Sequence, residues 1–308
     1  MLAGGVGGAR FLRGLSRRLD PRRLTIIGNT GDDEEFHGLH VSPDLDTVLY
    51  TLTGLADAER GWGRAGETFA CLEELGALGA PTWFRLGDRD LATHLVRTAR
   101  LRAGARLSRV TAELAAARGL RATLLPMTDD RVRTFVHTER GRLAFQDYLV
   151  RGGGRGRVRR IEIAGAADAR PAPGVLAALR ASAAVLIAPS NPFVSVGPIL
   201  ALPAIRRTLE RRRAPVAAVC PLVGGRPVRG PLHHMLRGLG HEVSPRGVAL
   251  LYRDLVDCFV LDAADARWAP AIVGLGMRVL VTETLMTDVA AASRLATAVL
   301  RALGLRAR

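Results

Sequence analysis

A chain of 308 residues with 48% apolar residues and no low-complexity tract excludes a disordered protein, and allows either one α/β domain with an insertion or two domains. The formal net charge of +15 would favour nucleic-acid binding, but all 44 basic residues are arginine and they are scattered, as a GC-rich coding bias would produce. We therefore expect an anionic small-molecule substrate and no nucleic-acid partner.

The first part of the chain, 1–19, predicts a short strand, a glycine-rich turn and an amphipathic helix. Four glycines occupy the turn: Gly4, Gly5, Gly7 and Gly8. Glycines let backbone amides approach a phosphate closely, and the helix N-terminus adds favourable partial charge. We expect this turn to bind a phosphate, with Arg10 one turn into the helix; the alternative is a tight turn without a ligand. Only 1–3 remain for the strand, fewer than the usual about five residues.

A second apolar run, 24–28, follows at the spacing of a β-α-β unit and ends in a polar segment that contains Asp32 and Asp33. Open α/β sheets bind ligands just past the carboxyl ends of their strands. Carboxylates near a phosphate-binding loop usually hold Mg²⁺ together with substrate phosphates. Turn formation by Asp32 is the alternative.

A helix that carries Asp44 and Asp46 is predicted over 42–52, with Pro43 and Asp44 in its first turn, where the helix dipole favours an acidic group. Two residues apart on a helix, these side chains point about 200° from each other. They therefore cannot both face one ion unless Asp44 lies at the cap, and capping is its alternative role.

The stretch 67–118 predicts several helices and is the candidate for a helical appendage. Within it, charge is concentrated at a turn that leads into a helix, with Asp88 and Arg89 in the turn and His94 one helical turn after Asp90. Helix capping by Asp88 and a structural role for His94 are the alternatives. A later acidic turn includes Asp129, which either contacts a base or ribose or only shapes the turn.

A hairpin is predicted from strands 135–138 and 143–150 around Gly141. After a glycine-rich loop at 152–156, strands and helices alternate again, and Ser190 and Asn191 follow a strand end. The predicted strands are 183–188, 216–220, 258–261 and 277–281, and a helix over 288–303 closes the chain. This alternation predicts an α/β, Rossmann-like fold: a mostly parallel, doubly wound sheet with helices on both faces. We expect one domain over 1–308 with a helical insertion at about 60–120.

Three common enzyme classes lose their usual sequence support. The chain has no GxxxxGK[ST] loop, no GxSxG elbow and no HExxH helix, which argues against a Walker-type ATPase, a serine hydrolase and a zinc protease. The three cysteines are far apart, so we expect neither disulfides nor a cysteine metal site. With no apolar run near the length of a membrane span, we expect a cytoplasmic protein without a membrane partner.

Several segments in the same order resemble the 2-phospho-L-lactate transferase family (CofD/FbiA) of coenzyme F-420 biosynthesis. The segments are AGGVGGARFLRGL, NTGDDEEFHGLHVSPDLDTVLYTL, GWGRAGETF, WFRLGDRDLATHLVRT, LLPMTDDRVRT, APSNPFVSVGPILALPAIR and PLVGGRPVRGP. The resemblance extends from the first glycines to LMTD at Leu285.

This resemblance implies a Mg²⁺-dependent transferase. A guanosine-diphosphate-linked donor gives its phospholactyl or phosphoenolpyruvyl group to the terminal hydroxyl of the deazaflavin precursor Fo and releases GMP. The arginine- and alanine-rich composition is typical of GC-rich bacteria, in which the resemblance implies the enolpyruvyl donor. It favours that donor without deciding between the two. The resemblance also implies a homodimer.

The resemblance assigns roles to particular residues. Asp46 is the expected catalytic residue, which orients or deprotonates the acceptor hydroxyl, and it shares the metal region with Asp32. Four further residues are expected near Fo: Arg85, Asp88, Arg89 and His94. The donor is expected to contact the glycine turn and four other residues: Arg10, Asp129, Ser190 and Asn191.

A sister family, the gluconeogenesis-factor proteins, shares the fold and the opening glycines but binds nucleotide sugars. Those proteins carry a PPGD-type segment where this chain has PDLDT at 43–47. The difference favours the transferase. A nucleotide-sugar-binding regulator without turnover remains the alternative, and so does another nucleotide-diphosphate transferase or hydrolase with the same cavity.

Overall fold

The computed structural model describes residues 1–57 and 60–307. Its strands are β1 (Leu2–Ala3), β2 (Thr25–Gly28), β3 (Glu34–Phe36), β4 (Leu39–Val41), β5 (Thr123–Pro126), β6 (Arg133–Thr138), β7 (Gly141–Ala144), β8 (Arg160–Ala164), β9 (Val185–Ile187), β10 (Val216–Val219), β11 (Leu222–Val223), β12 (Arg226–Pro227), β13 (Cys258–Asp262) and β14 (Arg278–Thr282).

The helices alternate with these strands along most of the chain. They are α1 (Gly5–Arg18), α2 (Pro43–Leu52), α3 (Ala70–Ala77), α4 (Asp88–Arg102), α5 (Leu107–Ala117), α6 (Val175–Ala181), α7 (Gly197–Ala201), α8 (Pro203–Glu210), α9 (Leu232–Gly238), α10 (Pro245–Leu250), α11 (Ala269–Val273) and α12 (Val289–Ala302). None of the helices in the described part of the chain is both long and apolar enough to cross a bilayer.

A seven-stranded parallel sheet forms the centre of the protein, in the order β14-β13-β10-β9-β1-β2-β5. The strands β2 and β5, which come first in the chain, lie on one side of β1. The strands β9, β10, β13 and β14 come later and lie in that order on the other side of β1. The winding direction therefore reverses between β1 and β9. This arrangement confirms the predicted Rossmann-like, doubly wound fold.

The alternation of side chains along the central strands separates two hydrophobic cores. Leu2, Ile27 and Ile187 face one core, whereas their neighbours Ala3 and Ile26 face the other. The helices α1, α2, α5 and α12 cover the second face, and α6, α8 and α10 cover the first. Burial on both faces explains why these strands are short, continuous apolar runs.

The central strand β1 is only two residues long. Leu2 pairs with Ile27 on one side and Ile187 on the other, and Ala3 pairs with Gly28. Because α1 begins directly after Gly4, the chain leaves the sheet as soon as it reaches the carboxyl edge. The segment before the glycine turn thus supplies Leu2 and Ala3 to the sheet.

Three smaller antiparallel sheets accompany the main one in the described part of the chain. They are the β3–β4 hairpin, the β11–β12 hairpin and a sheet in the order β7-β6-β8. The predicted hairpin at Gly141 is confirmed, but the predicted strand over 143–150 is wrong beyond Ala144, because a π-helical turn occupies Asp147–Arg151. Sequence reasoning missed five strands: β3, β4, β8, β11 and β12.

Three helices, α3 to α5, fill the stretch that was predicted as a helical insertion. An aromatic cluster fastens this stretch to the β3–β4 hairpin: Phe36 stacks on Phe84 with ring centroids 3.8 Å apart, and Trp83 contacts both rings edge-on. The cluster also buries Val41 and Leu86. It therefore fixes the start of α4 close to the carboxyl edge of β2.

Candidate functional site

Polar residues collect at the carboxyl edge of the sheet, where β1 and β9 diverge. Ligands of doubly wound sheets bind at this kind of reversal. The Ser190 hydroxyl, just past β9, donates to the Gly4 carbonyl at 2.6 Å and joins the two loops that follow these strands. The N-terminus of α1 opens between them.

Glycine is required in the first turn of α1 for two physical reasons. A Cβ atom at Gly7 would lie 2.5 Å from the Pro189 carbonyl oxygen, and one at Gly8 would lie 2.8 Å from Ser190 Oγ. A Cβ atom at Gly5 would lie 3.6 Å from Ser195 Oγ, which is an ordinary contact, but Gly5 has a φ of 67°, which other residues rarely adopt. Close packing thus explains why glycine is needed at Gly7 and Gly8 even without a ligand. The backbone at 5–7 is partly exposed, and its N–H groups have no partner within the helix.

Asn29 holds two buried carboxylates together at this edge. Its side-chain Nδ2 donates to Asp32 Oδ1 at 2.8 Å and to Asp44 Oδ2 at 2.9 Å. The backbone N–H of Gly5 donates to Asp44 Oδ1 at 2.6 Å, and Gln146 Nε2 donates to Asp32 Oδ2 at 3.2 Å. Asp32 and Asp44 therefore face each other beside the start of α1.

Burial makes these carboxyl groups reluctant to ionise. It raises the pKa of Asp44 to about 6, against the hydrogen bonds from Asn29 and Gly5, which lower it. Burial also raises the pKa of Asp32 well above its ordinary value, and the charges of Asp44 and Asp33 add to the effect. Like charges close together disfavour ionisation, which is the reason for the added increase in the pKa of Asp32.

These carboxylates suit Mg²⁺, although they do not form a complete metal site. Within 1–57 and 60–307, no three acidic, histidine or cysteine side chains are grouped closely enough to hold a metal ion by themselves. Mg²⁺ requires less, because it commonly takes one or two carboxylates and completes its shell with water and substrate phosphates. Asp32 and Asp44 meet this requirement. Asp33, which follows Asp32 in the chain, has a buried carboxylate oxygen, Oδ1, without a hydrogen-bond partner.

Asp46 points away from Asp44, as the helical geometry predicted. Its carboxylate lies against the guanidinium of Arg97 on α4. The family resemblance assigned Asp46 and Asp32 to the metal region, whereas the structure places Asp44 beside Asp32. The assignments of Asp46 to metal, acceptor and catalysis stay predictions.

The residues expected near the acceptor lie at the start of α4. Arg85 is exposed, with its guanidinium carbon 4.4 Å from the centroid of the Phe69 ring, and Arg89 is also exposed. Asp88 accepts hydrogen bonds from Thr68 and from two backbone N–H groups in the first turn of α3. The hydrogen bond from Thr68 lowers the pKa of Asp88. The predicted capping role of Asp88 is therefore seen, but the helix that it caps is α3.

His94 is buried between two charged neighbours. Its Nδ1 lies 3.2 Å from Arg97 Nη1, and its Nε2 lies 3.3 Å from Asp90 Oδ1. Only 1% of its side chain is exposed. In this structure His94 belongs to the interface between α2 and α4, which is the structural alternative considered for it.

The residues expected near the donor are divided between the loops. Asn191 Oδ1 accepts from the Phe193 N–H at 2.9 Å and shapes the loop after β9, and Arg10 is exposed on α1. Asp129 accepts from the Ser108 N–H at 2.6 Å and from its hydroxyl at 2.9 Å, so it caps α5 from a neighbouring loop.

Replacement of Asp129 with alanine tests the two roles considered for it. We expect Asp129→Ala to lower the free energy of unfolding by about 1 to 2 kcal/mol, as loss of a helix cap does, while GDP affinity is unchanged. Chemical denaturation and calorimetric titration with GDP would measure both quantities. A tenfold loss of GDP affinity in a stable variant would instead assign Asp129 to the donor.

Sequence reasoning passed over three residues of this edge. Asn29 and Gln146 bind the carboxylates from positions that are far apart in the chain. Arg97 had a detectable signal: with Asp90 and His94 it forms a stripe at helical spacing, which places all three on one face of α4.

A parallel doubly wound sheet, a glycine turn at its reversal point and paired carboxylates beside that turn define an α/β enzyme of the phosphate-group-transferring kind. A sequence model of the family "2-phospho-L-lactate transferase CofD" matches residues 1–270. The chain belongs to this family, which confirms the resemblance seen in the sequence.

Relatives along nearly the whole chain support the same membership. A protein named phosphoenolpyruvate transferase from Kitasatospora aureofaciens is 47% identical over 96% of this chain and 94% of its own. One of the same name from Thermobifida fusca is 49% identical over 86% of each chain. A 2-phospho-L-lactate transferase from Methanosarcina mazei is 39% identical over 98% of this chain and 99% of its own.

A solved structure confirms the fold only. A crystal structure of a UPF0052-family protein from Bacillus halodurans has a TM-score of 0.64, 18% sequence identity and coverage of 97% of both chains. Likeness at this identity carries no conclusion about activity.

Proposed function

We propose that this enzyme transfers a phosphoenolpyruvyl group from a guanosine-diphosphate-linked donor to the terminal hydroxyl of the deazaflavin precursor Fo, releasing GMP, in coenzyme F-420 biosynthesis. The observation that carries the proposal is the glycine turn with paired carboxylates at the sheet reversal, in a chain of this family. For the choice of donor, the support is that the relatives at 45% to 49% identity are named phosphoenolpyruvate transferases.

The chemistry is substitution at phosphorus. The acceptor hydroxyl oxygen forms a bond to the phosphorus that carries the enolpyruvyl group, the bridging P–O bond to GMP breaks, and the hydroxyl proton leaves. Such transfers depend chiefly on positioning and charge neutralisation. The N–H groups at the start of α1 beyond Gly5, whose own N–H donates to Asp44, suit the diphosphate, since a helix N-terminus attracts anions.

Asp32 and Asp44 are the residues that would hold Mg²⁺, and the bound ion would neutralise charge on the phosphate oxygens. Asp46 points to a different side of α2 from Asp44, and it would contact the acceptor hydroxyl. Asn29 keeps the two carboxylates at a fixed separation through its shared amide.

Mass spectrometry of the reaction products tests the proposal. Purified enzyme is mixed with Fo, Mg²⁺ and either the phosphoenolpyruvyl or the phospholactyl donor. We expect enolpyruvyl-phosphorylated Fo and GMP from the first, and a loss of at least about 100-fold in the Asp46→Asn variant. Asp254→Asn is the matched control, because its side chain is 70% exposed. A folded, GDP-binding sample that turns over neither donor would overturn the proposal in favour of a nucleotide-binding regulator.

We further propose a homodimer in the cytoplasm. Support for the dimer is the family resemblance, and support for the compartment is that Cys71, Cys220 and Cys258 are all free thiols. Light scattering during gel filtration would give the mass of the assembly, and a monomer at micromolar concentration would contradict the dimer.

A further inference from the structure

A buried arginine holds the carboxylate that is expected to contact the acceptor. Arg97 Nη1 donates to Asp46 Oδ2 at 3.0 Å, and Nη2 donates to Oδ1. The two residues lie 51 positions apart in the chain, and only 4% of Asp46 and 2% of Arg97 are exposed. Two parallel hydrogen bonds from one planar guanidinium fix both the position and the plane of the carboxylate.

Arg97 is itself held by a row of polar side chains between α2 and α4. Arginine has only donors, so His94 Nδ1, 3.2 Å from Arg97 Nη1, must be the acceptor, and a neutral ring then carries its proton on Nε2. That nitrogen lies 3.3 Å from Asp90 Oδ1, which also accepts the Tyr50 hydroxyl at 2.6 Å. The row returns to α2 at Tyr50, one turn after Asp46, and it contacts the guanidinium at Nη1, whereas Arg97 Nε has no hydrogen-bond partner.

Pairing with Arg97 leaves Asp46 able to accept further hydrogen bonds. A carboxylate has about four lone-pair positions, and the two hydrogen bonds from Arg97 use one on each oxygen. The remaining positions have fixed directions because the carboxylate plane cannot rotate. A residue held in this way is suited to orient a hydroxyl group.

We propose that Arg97 is a positioning residue for the transfer reaction, which holds Asp46 in the orientation that accepts a hydrogen bond from the acceptor hydroxyl. The inference rests on the proposed function and deepens it. Arg97 does not contact either substrate; its effect on the rate passes through Asp46. The alternative is an ion pair that only stabilises the packing of α2 against α4.

A double-mutant cycle separates these two roles. The variants are Arg97→Met, Asp46→Asn and the two combined, with Arg97→Lys as the conservative replacement and Arg100→Met as the control. Arg100 lies on the same helix with 60% of its side chain exposed. For each protein, kcat and KM are measured for Fo and donor, GDP affinity by calorimetry and stability by thermal unfolding.

We expect Arg97→Met to lower kcat/KM for Fo by about 30-fold, because a displaced carboxylate misorients the nucleophile, while GDP affinity changes less than about threefold. Arg97→Lys should recover part of the loss. The combined variant should be no slower than Asp46→Asn alone, since a residue that acts through Asp46 has no further effect once Asp46 is changed. If Arg97→Met does not fold, the combined variant, which buries no unpaired charge, still gives this comparison.

Two results would overturn the inference. Losses that multiply in the combined variant would show that Arg97 contacts a substrate directly. A folded Arg97→Met protein with lowered stability but wild-type kcat/KM would show a purely structural pair. Failure of the proposed function looks different: the wild-type enzyme itself would give no product, whereas failure of the Arg97 inference requires a wild type that turns over.

Discussion

Replacement of Gly7 with alanine should lower the free energy of unfolding by about 3 kcal/mol and weaken the proposed binding of GDP, because crowding in a packed site typically costs about 1 to 3 kcal/mol and here the obstacle is backbone. The new Cβ would meet the Pro189 carbonyl oxygen at 2.5 Å. Alanine favours a helix over glycine by about 1 kcal/mol, which is smaller than the collision. The loop after β9 must therefore move away from the start of α1.

Chemical denaturation and calorimetric titration with GDP would measure these two effects. Gly274→Ala is the matched control, since its φ of −61° suits alanine and its nearest contact would be 3.5 Å away. We expect that control to differ from the wild type by less than about 1 kcal/mol. A Gly7→Ala protein with wild-type stability and GDP affinity would show that α1 and the loop after β9 are not in close contact.

The carboxyl of Asp44 should make the protein less stable as the pH rises. Its pKa is raised from 3.8 to about 6 in the folded state, chiefly by burial. Below the unfolded value both states are protonated, so the group contributes nothing to the difference. Between pH 4 and 6 the unfolded state releases its proton first, and the folded state is penalised by a growing amount that reaches about 3 kcal/mol near pH 7.

The Asp44→Asn variant isolates this effect. The difference in unfolding free energy, variant minus wild type, should rise by about 2.4 kcal/mol between pH 4 and pH 7, whatever constant cost the lost hydrogen bond adds. Loss of the Asp44 charge also relieves Asp32, which acts in the same direction. Denaturation curves at several pH values would measure it, with Asp254→Asn as a control that should follow the wild type. A difference that stays flat across this range would mean that Asp44 ionises near its ordinary pKa.

The main elements were predictable because their signals are local. Apolar runs such as 24–28 and helices such as α1 and α2 are encoded in consecutive residues, and the predicted opposite directions of Asp44 and Asp46 follow from helix geometry alone. By contrast, β3 is the polar segment Glu34–Phe36, which pairs with β4 and is anchored by the stacking of Phe36 on Phe84. Such a strand depends on a distant partner and leaves no local pattern.

The carboxylate partners in the candidate site were harder to predict for the same reason. The sequence showed several acidic residues near one sheet edge, but not which of them share a neighbour. Asn29 binds Asp44 across 15 positions and Asp32 across 3. Arg97 meets Asp46 across 51 positions, where side chains of α4 contact those of α2. Pairings of this kind are products of tertiary structure, so residue types alone do not determine them.

The shortness of β1 has a consequence for how the molecule assembles. With Leu2↔Ile187 as the single register pair between β1 and β9, the half of the sheet built by β2 and β5 is joined to the half built by β9 to β14 through very little strand pairing. Tight packing of α1 on α12, with Gly14 against Ala292, supplies the connection instead. The contact between the first and last helices of the chain therefore holds the two halves of the sheet together at the edge that carries the candidate site, alongside the hydrophobic cores that both halves share.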